Sequence, residues 1–507
     1  MRTTVALVAF VAIANPLFAQ QEAVRYTIRF PDTAGHVARV EAAIPARKGD
    51  VELFMPVWSP GFYKVEDYAA QVKDLAAKTA GGESLTVEHP KDNRWTVHSQ
   101  GAESIIVSYS LNCDNAFVTT NWVGEKFAVL NGPATFISLV EKEQRPHEVT
   151  LVLPPDWKRS VAGLQAAGEH RYRAPNYELL VDCPIAAGNF DVREFVVGGS
   201  RHEIVSLGEL GEWKPERPPG DLAKLVVENE RMWGKLPFDH YVFILNFRPG
   251  GGGLEHLTST LITSGADGMK SQGRYLGWLS LVSHEYFHTF NVKRLRPIEL
   301  GPFDYENPPH TPSLWISEGL TSYYGDLIVC RSGLGTPAGF LQSMSSHISG
   351  LQNSPGRLKQ SLEQSSMEVW TNSRSGVQTK DDTVSYYIKG PVAGFLLDAR
   401  VRADTDGKRS LDDVMRLAMK RYSGERGFKP EEFVAVAEEV AGTDLKAWFQ
   451  GVIASATELN YDPALEYFGL KLTKSEGERA AWRLEPKEDA SELQQKRLND
   501  WLGATAK

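Results

Sequence analysis

Residues 284–288 read His284-Glu285-Tyr286-Phe287-His288. On a helix, side chains four apart lie one above the other on one face. The two imidazoles can therefore reach a single zinc ion at about 2.0–2.1 Å, while Glu285 projects its carboxylate beside the metal, where a water sits. The preceding stretch, Tyr275-Leu276-Gly277-Trp278-Leu279-Ser280-Leu281-Val282, is apolar and compatible with a helix. Phe287 and Phe290 continue the apolar side, and Pro297 marks an end by removing a backbone donor. The spacing predicts His284 and His288 in the middle of a buried, rigid helix.

A catalytic zinc takes three protein ligands and keeps one position open for water. A second helix is predicted over Pro312-Ser313-Leu314-Trp315-Ile316-Ser317-Glu318-Gly319-Leu320-Thr321-Ser322-Tyr323-Tyr324, with Thr311 as its cap and Pro312 at its first position. Ile316, Leu320, Tyr323 and Leu327 recur at helical spacing and form a core face. Glu318 falls among them, and a carboxylate in apolar surroundings needs a partner, which a metal supplies. The competing reading is a surface glutamate favoured by the helix dipole. The ligand reading is preferred because the two histidines otherwise lack a third ligand.

HEYFHTFNVKRLRP (284–297) and LWISEGLTSYYGDL (314–327) resemble, nearly end to end, the glycyl aminopeptidase family of zinc peptidases, gluzincins that use two histidines and a glutamate. The resemblance implies one Zn²⁺ per chain, held by His284, His288 and Glu318, with Glu285 as catalytic base. Gly250-Gly251-Gly252-Gly253-Leu254-Glu255-His256 resembles the GxMEN loop of related zinc aminopeptidases. That implies a substrate backbone lying against Gly252 and Gly253, Glu255 facing the free α-ammonium, and His256 lining the same pocket. A plain flexible glycine loop is the competing reading. Tyr386-Tyr387-Ile388-Lys389-Gly390 resembles the family's YxKG stretch, which implies that the Tyr387 hydroxyl supports the developing oxyanion. On spacing alone, two core aromatics at a helix start fit nearly as well.

The activity so implied is release of a small N-terminal residue, glycine or alanine, from peptides with a free N-terminus. Three other readings stay open: a zinc endopeptidase of the same fold, an epoxide hydrolase on the same zinc site, and a non-enzymatic peptide-binding protein. Intact motifs speak against the last.

The organisation expected is α+β and multidomain. Residues 22–197 are rich in short alternating strands, such as Val24 to Phe30 and Ser104 to Tyr109, separated by turns, and predict an N-terminal β-sandwich. Within it, Trp58-Ser59-Pro60-Gly61-Phe62-Tyr63 and Asp182 to Phe190 resemble the family's N-terminal domain. Residues 198–335 resemble a thermolysin-like catalytic domain, with a helix over Leu222 to Leu236 between two strands. Residues 336–460 are helical, for example Leu411 to Tyr422 and Pro430 to Val440. The tail, 461–507, departs from the family: many members carry a PDZ domain after a segment like Tyr467 to Leu472, but 35 residues follow Leu472 here and leave no room for its body.

Of the 507 residues, 42% are hydrophobic and 23% charged, as in ordinary globular proteins. A net charge of −9 without a basic stripe argues against nucleic-acid binding. Lys293-Arg294-Leu295-Arg296 reads as a helix C-terminal cluster favoured by the dipole. Residues 1–19 read as a signal peptide, with Arg2, an apolar run from Val5 to Ala14 and Leu17-Phe18-Ala19 before the cut, so a bacterial periplasmic or secreted protein with no stable membrane span is expected. The oligomeric state is not legible. Cys113 and Cys183 are at best evenly balanced between pairing and free thiols, and Cys330 reads as a core thiol.

Overall fold

The computed structural model describes residues 22–46, 49–141, 144–370, 382–476 and 480–503. The segment expected to be a signal peptide, 1–19, lies outside them.

The N-terminal region is a set of packed β-sheets. Its eight-stranded sheet has its centre at Val24–Asp32, Val37–Pro45 and Ser104–Asn112, paired with Val40 opposite Tyr109 and Ala42 opposite Val107. Burial alternates strictly along Ser104–Asn112, because a pleated strand sends successive side chains to opposite faces. The inward set, including Tyr26, Ile28, Val107 and Tyr109, meets Leu53, Trp95, Val97 and Leu130 from two four-stranded sheets in one apolar core. The expected β-sandwich is therefore present, made of one large sheet against two small ones.

The catalytic region is built on a five-stranded sheet in the order Asp191–Val197, Ser200–Gly208, His240–Phe247, Ser259–Ser264, Gly252–Glu255. The first two strands form one hairpin that crosses position 197/198. His240–Phe247 is buried on both faces, as expected for a strand with two parallel neighbours. One face of this sheet packs through Val205, Ile244, Leu254 and Leu261 on Val129 and Ala186 of the N-terminal sheets. The other face carries the helices. The connecting helix spans Pro218–Trp233 rather than Leu222 to Leu236. Proline fits the first turn, where its missing N–H costs no bond, and Gly234 ends the helix in the left-handed region at φ 88°.

The helices Pro337–Gln352, Tyr386–Asp404, Leu411–Tyr422 and Pro430–Ala441 continue the same core. The tail is part of it. After the hairpin Leu470–Lys474/Trp482–Pro486, the helix Glu492–Leu502 inserts Trp501 between Phe468 and Phe395, with ring centroids 4.3 and 5.3 Å away. The Trp501 indole N–H donates to the Tyr323 hydroxyl at 2.7 Å, directly behind the metal-site helices. All three cysteines are buried and free, so Cys113 and Cys183 do not pair. Among the described residues no helix is long and apolar enough to cross a membrane.

Candidate metal centre and substrate cleft

The motif helix spans Gln272–Phe287, so His284 lies in its last turn and His288 caps it. The expectation of a mid-helix pair is corrected here. After His288 the chain turns sharply, with the Lys293 N–H bonding back to the His288 carbonyl at 3.0 Å. Asn291 occupies that turn and serves both sides of the site. Its carbonyl accepts from His288 Nδ1 at 2.9 Å, which leaves the Nε2 lone pair free. Its amide donates to the carbonyls of Ile316 and Ser317 at 2.8 and 3.3 Å.

Those carbonyls belong to a widened, π-helical turn, Trp315–Leu320, that runs into the helix Thr321–Arg331. Such turns leave carbonyls without regular helical partners, and the Asn291 amide supplies one. Thr311 caps the turn before it by accepting from the Ser313 N–H at 3.2 Å. The widened turn carries Glu318. Gly319 and Gly390 bring the helix Tyr386–Asp404 into backbone contact with it: a Cβ on either glycine would lie 2.7 or 2.5 Å from the other's Cα. Ser322, one turn on from Glu318, donates to the Glu318 carbonyl at 2.9 Å and accepts from His284 Nδ1 at 3.3 Å.

Both Nε2 atoms thus face one point. They are 3.0 Å apart, and Glu318 Oε2 lies 3.6 Å from His284 Nε2 and 3.2 Å from His288 Nε2. Tetrahedral zinc at the usual bond lengths separates its ligand atoms by about 3.3 Å. Two imidazoles, which a metal would bind in their neutral form, and a carboxylate, held from behind at those spacings, fit zinc.

Three buried carboxylates meet here, and burial acts differently on each. It pushes the Glu318 carboxyl up, but the charge on His288 and hydrogen bonds from both imidazoles hold it well below the usual range. Burial pushes Glu285 well above that range, and Glu255 and Glu318 push it further. Glu255 is raised to about 7 by burial, with Glu318 adding and His288 and Lys293 opposing. Burial works against a proton on His288, but Glu318 and Glu255 outweigh it and raise the imidazole to about 10. Three carboxyls that crowd one another in burial could all ionise more easily with a cation among them.

The site opens into a cleft of about 530 Å³ lined by Gly252, Gly253, His284, Glu285 and Tyr387. Gly253 is a cradle: a Cβ there would lie 2.1 Å from the Glu285 carboxylate. Gly252 is open to the cleft at φ 148°. Tyr387 stands at the start of its helix, ring centroid 6.2 Å from that of His284, while its neighbour Tyr386 is fully buried. Glu255 ends the strand Gly252–Glu255, and its carboxylate is within 4.8 Å of Glu285 and His288 donor atoms. His256 is not among the side chains lining the cleft. It is buried, with Nδ1 3.8 Å from Asp182.

Several residues of the site carry no local signal. Gly61, at φ 92°, lets the Glu255 carboxylate pack where a Cβ would sit, 2.4 Å away. Tyr63 donates to Glu318 Oε1 at 3.4 Å. Both lie in the loop after the strand Val51–Phe54 of the N-terminal region, in a stretch whose resemblance to the family was visible but whose chemistry was not. The Lys293-Arg294-Leu295-Arg296 cluster is also corrected: it does not decorate a helix end. Lys293 is buried against Asp182 at 2.5 Å, Arg296 reaches Glu178 at 3.2 Å, and Arg294 donates to the Thr289 and Leu257 carbonyls. Asp182 also accepts from the Leu257 N–H at 2.7 Å, tying the strand end that bears Glu255 to the turn after His288.

Two family models match the chain: the Peptidase M61 N-terminal domain over residues 25–189 and the M61 glycyl aminopeptidase over residues 277–393. Gly61, Tyr63 and Asp182 lie in the first segment, and the two histidines, Glu318 and Tyr387 in the second. Among solved structures, an aminopeptidase N family protein from Idiomarina loihiensis is similar, with a TM-score of 0.84 at 27% identity, over 89% of this chain and 79% of that one. An M1 zinc metallopeptidase from Deinococcus radiodurans shares the fold, with a TM-score of 0.55 at 12% identity over 87% of this chain and 95% of that one. No curated protein matches. A two-histidine, one-glutamate metal centre beneath packed N-terminal sheets, with both segments recognised by the family's own models, leads to one conclusion: the chain belongs to the M61 glycyl aminopeptidase family of zinc metallopeptidases.

Proposed function

We propose that the protein releases a small N-terminal residue, glycine or alanine, from peptides with a free α-ammonium, using one zinc ion held by His284, His288 and Glu318. Glu255 is not itself among the side chains lining the cleft; its carboxylate lies against Gly61, which is, and its place beside the metal-binding side chains is the observation that carries this reading. The Glu255 carboxylate is buried within 4.8 Å of donor atoms of both Glu285 and His288, beside the three metal-binding side chains. A carboxylate so placed favours a cationic group at one fixed distance from the reacting bond, which selects the end of a chain over its middle.

Zinc bound by the three side chains would acidify a water and polarise the scissile carbonyl. Glu285, seated in the space left by Gly253, takes the proton from the attacking water and returns it to the leaving amine. The Tyr387 hydroxyl donates to the oxyanion as it develops. Glu255 pairs with the α-ammonium, so one residue leaves per turnover. The preference for glycine and alanine rests on the family, and the N-terminal segment supports export to the periplasm or beyond as the place of action.

The test is the initial rate on glycyl- and alanyl-anilides against their N-acetylated forms, with zinc present. Cleavage confined to the free-amine forms supports the reading. Equal cleavage of both forms makes the protein an endopeptidase.

A further inference from the structure

The cleft beside the metal centre is also lined by residues beyond His284, Glu285 and Tyr387. The strand Gly252–Glu255 is an edge of the five-stranded sheet, so an extended peptide can pair with it. A peptide paired antiparallel, with its N-terminus at Glu255, runs back past Gly253 and Gly252 towards Gly251. Gly277, Ser280, Asp326 and His347 line the same cleft as these glycines. On that path the residue after the scissile bond enters the cleft that these side chains line.

Asp326 lies on the helix Thr321–Arg331, one turn beyond Ser322, which touches His284. That turn is about 6 Å along the axis, within the reach of a lysine stem. The hydroxyls of Ser280 and Ser343 donate to its carboxylate, and His347 Nε2 is 3.7 Å away. Burial works to raise the carboxyl, but hydrogen bonds from His347, Ser280 and Ser343 hold it below its ordinary range. Among the described residues no lysine or arginine forms an ion pair with it. Its partners are two hydroxyls and the His347 imidazole, so a permanent cation entering the cleft would be a stronger counter-charge than any it has. A second cavity of about 250 Å³ shares Gly277, Ser280 and Asp326 with the cleft, and neither space is lined by a lysine or arginine. The carboxylate thus stands at a junction with room for a long side chain.

We propose that Asp326 is a specificity residue that receives the cationic side chain of a lysine or arginine immediately after the scissile bond. Peptides beginning with a small residue followed by a basic one are then the favoured class. The inference rests on the aminopeptidase reading and extends it to the leaving fragment.

The test compares kcat/KM for alanine release from the amides of Ala-Lys-Ala, Ala-Ala-Ala and Ala-Glu-Ala by the zinc-loaded full chain, wild type and Asp326→Asn. The lysine peptide is expected to exceed the glutamate peptide by about 10-fold or more, the scale of one charge-assisted hydrogen bond. In Asp326→Asn that ratio falls towards one, whatever the absolute rate. If Asp326→Asn does not fold, His347→Lys puts a competing ammonium beside the carboxylate and must lower the same ratio. Equal wild-type rates on all three peptides overturn the subsite while the aminopeptidase reading stands. A ratio unchanged in either variant overturns the role of Asp326. Release of alanine from none of the three contradicts the aminopeptidase reading itself, and the subsite with it.

Discussion

Glu318 and Glu255 are both buried beside His288, yet the chain holds them in opposite electrical states. Glu318 touches two imidazoles and accepts from Tyr63, which keeps it ionised. Glu255 packs behind Gly61, and burial together with the charge of Glu318 raises it to about 7. The first is compensated by groups of the chain itself. The second is only partly compensated, by His288 and Lys293, and a further cation beside it would favour its charged form. Their origins differ as well. At the metal end the three metal-binding side chains come from two helices close in sequence, whereas at the other end Glu255 packs on Gly61 and its strand end is tied to Asp182, both from the N-terminal region. On the proposed function, holding a metal and receiving a substrate's amine are separate tasks, served by the same residue type in different surroundings.

The separation can be broken in graded steps. Glu285→Gln should lower kcat by about 10³- to 10⁴-fold, the upper range for a lost general base, with zinc content by elemental analysis unchanged. Loss of zinc in that variant would move Glu285 to the metal end. Asp182→Asn leaves the Lys293 charge buried and unpaired, and should cost about 3–5 kcal/mol of stability in denaturant titration. The sign with pH follows from the Asp182 carboxyl: burial opposes its charge, but Lys293 and His256 hold it below its usual range. Its contribution is present above the unfolded carboxyl pKa of about 4 and is lost as pH falls through the lower folded value. The wild type should therefore lose stability more steeply than Asp182→Asn on acidification, and parallel curves would contradict the pairing. Tyr387→Phe should lower kcat by about 10²- to 10³-fold with little change in KM. An effect on KM alone would take Tyr387 out of oxyanion support. Gly61→Ala collides with Glu255 and is strained at φ 92°, so KM for free-amine peptides should rise about 10-fold while zinc binding holds. Loss of zinc there would show that the two ends are not separable.

The metal end was legible because its geometry is local. Residues four apart on a helix share a face, and an acidic residue on the next apolar helix has few other partners. What escaped was the end of the motif helix, which stops at Phe287 because the Asn291 turn folds back under it. Asn291 itself was silent, since its partners Ile316, Ser317 and Thr321 lie 25 to 30 residues away. The basic run at 293–296 looked like helix-end charge, and its partners Glu178 and Asp182 lie over 100 residues upstream. Tyr63 meets Glu318 across 255 residues, and Trp501 meets Tyr323 across 178. Periodicity carries none of this, because each contact is a property of how sheets and helices stack. The strand pattern of the N-terminal region did carry over, since alternation is again local.

The most direct measurement is the ratio of kcat/KM for alanyl-anilide to that for its N-acetyl form, in zinc-loaded wild type and in Glu255→Gln. The ratio should be large in the wild type and should fall by about 10²-fold or more in Glu255→Gln, the scale of a buried ion pair losing one partner, with zinc content unchanged. A ratio near one in the wild type, or one that Glu255→Gln leaves intact, would contradict the assignment of Glu255 to the substrate's amine and the aminopeptidase reading built on it.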